Sequence, residues 1–242
     1  PPALFEPRPA VYPVHMCGRY ALYADPETLV ARFELWRTPD LRPRYNIAPS
    51  QEVPAIRRSR EGRRELCLLR WGLVPYWAQA ETSGHSMINA RAETVATKPA
   101  FRGAFRRHRC LIPADGFYEW KKAGRIRQPY FIRLKHGLPL AFAGLWEEWR
   151  SPDGQAIGSC AIIVTRANAL LEPIHDRMPV ILEPRAYGPW LSTDMTDTEG
   201  LTQLLVPFPP EDMEAYPVDR RVNNPENEGA ACVERDEPVT AI

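Results

Sequence analysis

Apolar residues recur along this chain in two periods. Between Asp25 and Trp36 they fall at Leu29, Val30, Phe33 and Trp36, one face of a 3.6-residue repeat. Asp25 stands where a helix cap belongs and Pro26 suits the first turn, so the pattern predicts a helix there. Most other apolar runs are short and rich in β-branched and aromatic residues. They predict strands at Val53–Arg57, Glu65–Trp71, Cys110–Ile112, Phe117–Trp120, Tyr130–Leu134, Leu140–Leu145, Cys160–Thr165 and Val180–Leu182. Short helices are predicted at Arg185–Leu191 and Glu199–Leu205. The 26 prolines leave little room for long helices. Many short strands separated by turns imply an α+β fold: a mainly antiparallel, curved or barrel-like sheet with short peripheral helices. No linker, low-complexity tract or repeat divides the chain. One domain is expected, from about Met16 to Arg235, with residues 1–15 as a loose leader and 236–242 as a short tail.

Composition narrows the partners. Net charge is only +1, so attraction to nucleic acid has to come from local clustering of basic residues. No run approaches eighteen apolar residues, so no membrane span is predicted. The opening PPALFEPRPAVYPVH lacks the basic and apolar regions of a secretory signal. The five cysteines are widely spaced with no CxxC pair, which argues against a disulfide framework or a structural zinc site and fits a reducing cytoplasm. Cys67, Cys110 and Cys160 lie in apolar runs and read as small core residues.

Cys17 is different. In VYPVHMCGRYAL it directly follows Met16, and a methionine before a small residue looks like a translation start. Removing everything before Cys17 would leave a 1,2-aminothiol at the N-terminus. Two routes lead there: a true start at Met16, which is the favoured one, or self-cleavage before Cys17 with Glu119 or His175 as general base. If residues 1–16 persist, Cys17 has no free amine.

Several other residues invite chemistry, although each has a plainer reading. Glu119, between Tyr118 and Trp120, could be the solvent-facing position of a strand. Enclosed by its aromatic neighbours, it would become a usable general acid or base. His175 in EPIHDRMP could be an ordinary surface histidine, and the adjacent Asp176 proves little because neighbours in sequence seldom face each other. Asn89 in INARAET could merely cap a turn. KPAFRGAFRRHR (98–109) reads as an amphipathic segment that buries Phe101 and Phe105 and solvates its arginines, or as a phosphate-contacting surface. Tyr76 and Trp77 read as core aromatics or as a wedge against nucleobases.

The combination carries more than its parts. MCGRY, RYNIAPSQ, WGLVPYWA, INARAET, CLIPADGFYEWKK and IHDRMPVIL, in this order, resemble the SOS-response-associated peptidase (SRAP) family, and YPVDRRVNNPENEGA (216–230) resembles its closing segment. The resemblance covers nearly all of the chain from Met16 onward. It implies a shield for abasic sites in single-stranded DNA that needs no cofactor and no metal. Its N-terminal Cys17 would condense through its amine with the aldehyde of ring-opened deoxyribose, then close a thiazolidine through its thiol. With an amine pKa of about 7.7–8.0 and a thiol pKa of about 8.5, both nucleophiles would be available near neutral pH, more so if a nearby arginine lowered them.

By the same resemblance Glu119 transfers protons at the amine, His175 helps to open the sugar, and Asn89 orients amine and sugar. Arg19, Arg91 and Arg177 would hold flanking phosphates, while Asn46, Pro49 and Trp77 fall in segments lining the nucleotide path. Lys98 stands where some relatives have arginine, and supplies charge without a forked contact.

The implied partner is single-stranded DNA carrying an abasic site, or a single/double-strand junction, met by a monomer with no membrane attachment. Replication-protein partners are not indicated. Abasic-site lyase action is a family-linked companion activity. The competing readings are a thiol peptidase with Cys17 as nucleophile and His175 as base, and a non-covalent single-strand binding module.

Overall fold

The computed structural model describes residues 17–124, 126–193 and 198–237. The leader 1–15, Met16 and the end of the tail from residue 238 lie outside the described residues. The fold is α+β, as the strand pattern predicts, and its centre is a closed five-stranded barrel. Strands β3 (Glu52–Arg58), β4 (Arg64–Trp71), β6 (Arg109–Ala114), β9 (Leu140–Arg150) and β10 (Ala156–Arg166) form it. The ring runs β10–β4–β3–β6–β9 and closes because β9 also pairs with β10. All of these pairs are antiparallel except β4–β10. Closure removes the free edges that an open sheet would expose.

A second, five-stranded antiparallel sheet packs against the barrel. Its strands are β1 (Tyr20–Leu22), β2 (Arg44–Ile47), β7 (Gly116–Ala123), β8 (Ile126–Leu134) and β13 (Met213–Pro217). Its order is β13–β8–β7–β1–β2. Alternation along β7 sends Phe117 into the main core and Tyr118 into a smaller cluster with Phe131, Tyr216, Val222 and Cys232. Glu119 therefore lies on the face of Phe117, turned inward. Gly116 opens this strand because a Cβ there would stand 2.4 Å from the Phe131 ring and 2.6 Å from the Ile132 carbonyl.

At one rim of the barrel β10 outruns its neighbours. β4 stops at Trp71 opposite Cys160, and β5 (Asn89–Arg91) takes its place beside Ile162–Val164. On the other edge β9 gives way to β11 (Arg177–Pro179), paired with Val164–Arg166. Asn89, Arg91 and Arg177 are thereby carried to a single rim. The remaining strand, β12 (Ile181–Leu182), adds to β9.

The helices are α1 (Pro26–Phe33), α2 (Arg102–Arg107), α3 (Pro184–Leu191) and α4 (Thr198–Gln203). Asp25 caps α1 by accepting from the Thr28 N–H at 2.8 Å. The helix ends at Phe33, where Glu34 turns left-handed at φ 53°. Trp36 is thus not on the helical face predicted for it, and it stands 48% exposed. α2 buries Phe101 and Phe105 as expected and exposes Arg102, Arg106 and Arg107. Arg109 departs from the expectation of solvated arginines. It is 4% exposed and donates to the carbonyls of Phe105, Arg106, Trp190 and Ser192, at the C-terminal ends of α2 and α3. Among the described residues no helix is long and apolar enough to cross a membrane.

Candidate functional site

Cys17 enters the fold just before β1 and is 1% exposed. Its backbone sits at φ 36°, a left-handed value that L-residues other than Asn and Asp seldom adopt. Its backbone N–H donates to Glu119 Oε1 at 2.9 Å, across 102 residues of sequence. Asn89 Nδ2, half-buried at the rim, donates to the Cys17 carbonyl at 3.4 Å. Three residues from β5, β7 and the lead-in to β1 therefore meet at one point.

Glu119 is 3% exposed, so the solvent-facing reading of this position does not hold. Burial pushes its carboxyl up to about 8, against the lowering effect of hydrogen bonds from the Cys17 and Trp120 N–H groups. Asp176 adds a smaller upward push, which brings the turn bearing His175 into electrical reach of Glu119. The Cys17 thiol is raised well above its ordinary value, by burial first and then by Glu119. No arginine is among the causes, so the expectation that arginine lowers this thiol is corrected: a neighbouring carboxylate disfavours a second negative charge.

His175 is held by its own turn. Its Nδ1 accepts from the Arg177 N–H at 3.1 Å and also lies 3.1 Å from Asp176 Oδ1. Nδ1 cannot accept the first bond and donate the second in one tautomer, so only one of the two operates at a time. Neither contact uses Nε2. Asp176 thus makes the contact that adjacency in sequence argued against.

The basic residues separate into two groups. Arg91 and Lys98 are exposed and, with Thr94, Thr97 and Asn89, the residue bonded to the Cys17 carbonyl, line an open cleft of about 670 Å3. Arg177 stands at the same rim, ion-paired with Glu93. Arg19 does not join them. Its Nη1 donates to Asn46 Oδ1 at 2.7 Å and to the Val222 carbonyl at 2.6 Å, and burial lowers its pKa.

Asn46 is fully buried, and its Nδ2 reaches the carbonyls of Val222, Asn224 and Asn227. Arg19 and Asn46 therefore tie residues 222–227 to β2 and the lead-in to β1, with Arg19 left half-buried. Pro49 sits half-buried in the turn between β2 and β3. Trp77 and Tyr76 are 54% and 69% exposed, which removes the core reading for both.

Sequence reasoning passed over Glu93 and the threonines of the cleft. Glu93 stands two residues from Arg91, and only the β5–β10–β11 arrangement brings it to Arg177.

Comparison with known proteins finds relatives over most of the chain. Residues 16–225 match the family model described as SOS response associated peptidase (SRAP). The protein named abasic site processing protein YoqW in Bacillus subtilis is 44% identical over 223 residues, covering 90% of this chain and 99% of the relative. The Escherichia coli protein named abasic site processing protein YedK is 30% identical over 227 residues, covering 90% and 99%. Among solved structures, a Bacteroides thetaiotaomicron protein superposes with a TM-score of 0.81 at 28% identity, covering 91% of this chain and all of that one. A Bordetella bronchiseptica protein gives 0.74 at 30%, covering 84% and 100%.

Proposed function

The chain belongs to the SOS response associated peptidase family, and on that footing we propose that it processes abasic sites in single-stranded DNA by forming a covalent thiazolidine through Cys17. The relatives named above as abasic site processing proteins support the substrate. The contact between the Cys17 nitrogen and Glu119, 2.9 Å, carries the chemistry.

Once the residues before Cys17 are removed, that nitrogen is a primary amine beside a carboxylate. The ammonium form would pull the Glu119 carboxyl down from about 8 and be pulled up itself, so a proton is shared between them. Glu119 takes the proton from the ammonium, and the freed amine attacks the aldehyde carbon of the ring-opened sugar. Loss of water, protonated by Glu119, leaves an imine. The thiol then adds its sulfur to the imine carbon while its proton passes to the nitrogen, closing a five-membered ring. The raised thiol pKa suits this order, because the sulfur stays protonated until the imine offers its nitrogen as acceptor.

Asn89, bonded to the Cys17 carbonyl, holds the nucleophile in register. His175 Nε2 is the group available to open the sugar ring. Arg91, Lys98 and Arg177 would take phosphates along the cleft, with Arg177 exchanging Glu93 for a phosphate oxygen. Exposed Trp77 would stack on a base, which requires unpaired DNA. β-Elimination from the imine, a lyase outcome, competes with ring closure. A thiol peptidase is disfavoured, since it needs a thiolate held low by an imidazole, whereas this thiol is raised by burial and a carboxylate.

Intact mass spectrometry of protein expressed from its native start, before and after incubation with single-stranded DNA bearing one abasic site, tests this. The expected spectrum begins at Cys17 and gains one DNA strand less one water, and the gain vanishes in Cys17→Ala. An N-terminus at Cys17 with no adduct on abasic DNA would overturn the proposal.

A further inference from the structure

The outer wall of the barrel carries a connected path leading away from the site. The cleft at Asn89 and Lys98 shares Pro99 with a second cleft of about 1080 Å3, between Tyr76, Trp77 and α2. That one shares Trp146 and Glu148 with a third, of about 600 Å3, beside the β3–β4 hairpin. The hairpin, RRSREGRR over residues 57–64, lies at the end of β4 opposite Trp71 and the rim. At a rise of about 3.3 Å per residue the two ends of β4 are roughly 23 Å apart.

We propose that this path carries the single DNA strand beyond the reacting nucleotide, with the arginine hairpin as its outer phosphate anchor. This rests on the reading of the site given above.

Charge and aromatic placement support one occupant. Arg58 and Arg60 on the hairpin, and Arg102, Arg106 and Arg107 on α2, are exposed, and none forms an ion pair with an acid among the described residues. Three acids along the path are already paired, Glu65 with Arg57, Glu61 with Arg63 and Glu148 with Arg150, and Glu147 is buried. With a net charge of +1 over the whole chain, this excess is a local feature.

Arg57 lies 4.7 Å over the Trp146 ring, while Arg37 and Arg63 lie 5.0 and 5.3 Å over Trp36. These contacts set three guanidinium groups against aromatic rings beside the hairpin, Arg57 and Arg63 also pairing with Glu65 and Glu61. Tyr76 and Trp77, exposed at the start of the path, offer ring faces to unpaired bases. An acidic protein would satisfy the arginines and leave those rings without a stacking partner.

The test uses the full chain processed to Cys17, with abasic single strands that are either short or extended by about ten nucleotides on the 5′ or the 3′ side. Extension on one side should raise the crosslinking rate at limiting protein roughly tenfold at moderate salt, and the gain should fall steeply as salt is added. The double variant Arg58→Glu/Arg60→Glu should erase that gain and flatten the salt dependence by about one unit of slope per lost phosphate contact. It should leave crosslinking of the short strand and the melting temperature unchanged. Absence of any length effect in the wild type, or the same effect in the variant, would overturn the proposal.

Were the short strand itself not crosslinked, the reading of the site would fail separately. Fluorescence anisotropy with long intact single strands would still decide the path. Wild-type binding lost in the double variant supports it, and equal binding, or equal competition by polyglutamate, counts against it.

Discussion

The Cys17 backbone N–H donates to the Glu119 carboxylate at 2.9 Å, inside a site where the carboxylate is 3% exposed. A residue at the entrance to one strand and a residue in the middle of another are tied there by a bond that favours the charged carboxylate, against burial that favours the protonated acid. Its carboxyl titrates near 8 because burial outweighs the two N–H donors.

One consequence is a pH-dependent stability. A carboxyl at about 8 when folded and about 4.3 when unfolded leaves the folded chain holding an extra proton between those values. Stability then falls as pH rises through that window and levels off above it, by a few kcal/mol at about 1.4 kcal/mol per pKa unit. Thermal melts of the chain before processing, from pH 5 to pH 9, should show this decline, and Glu119→Gln should flatten it. Equal slopes in both proteins would mean that Glu119 is ionised throughout. After processing, the Cys17 ammonium should shrink the decline in the wild type.

Asn46 predicts a structural effect at a position that looks functional in sequence. Its amide reaches three carbonyls of the C-terminal strap and accepts from Arg19. Asn46→Ala leaves those groups without their partner and should cost about 2–3 kcal/mol, measured as a shift of the urea midpoint. Limited proteolysis should open first near residues 220–228.

Arg109 should tolerate replacement poorly although it belongs to a run of basic residues. Lysine keeps the charge but cannot fork to carbonyls at the ends of two helices. Arg109→Lys should destabilise by about 2 kcal/mol, whereas Arg107→Lys, at an exposed position, should stay within about 0.5 kcal/mol of the wild type.

Trp77→Ala separates stability from binding. An exposed ring contributes little to the fold, so the melting temperature should hold. Loss of one base stack should weaken binding to intact single-stranded DNA by roughly tenfold, read by fluorescence anisotropy. Unchanged binding would remove Trp77 from the nucleotide path.

Local pattern determined much of this protein. Alternation and β-branched runs located the barrel strands, and Asp25–Pro26 located the start of α1, because those signals act between residues close in sequence. The ordered motifs around Cys17, Asn89, Glu119 and His175 identified the family. Other features depended on partners remote in the chain. Strands β1, β5, β11 and β13 are short, and neighbouring strands stabilise them where their own sequence does not. Glu119 reads equally well as solvent-facing or enclosed until β7 is set against the core, and burial, which no local pattern encodes, then sets its proton affinity. Asn46 and Arg109 carry the same polar groups whether they meet a phosphate or a carbonyl. Only the return of residues 190–192 and 222–227 onto the sheets decided which, since a buried polar group must find its partner wherever the fold brings one.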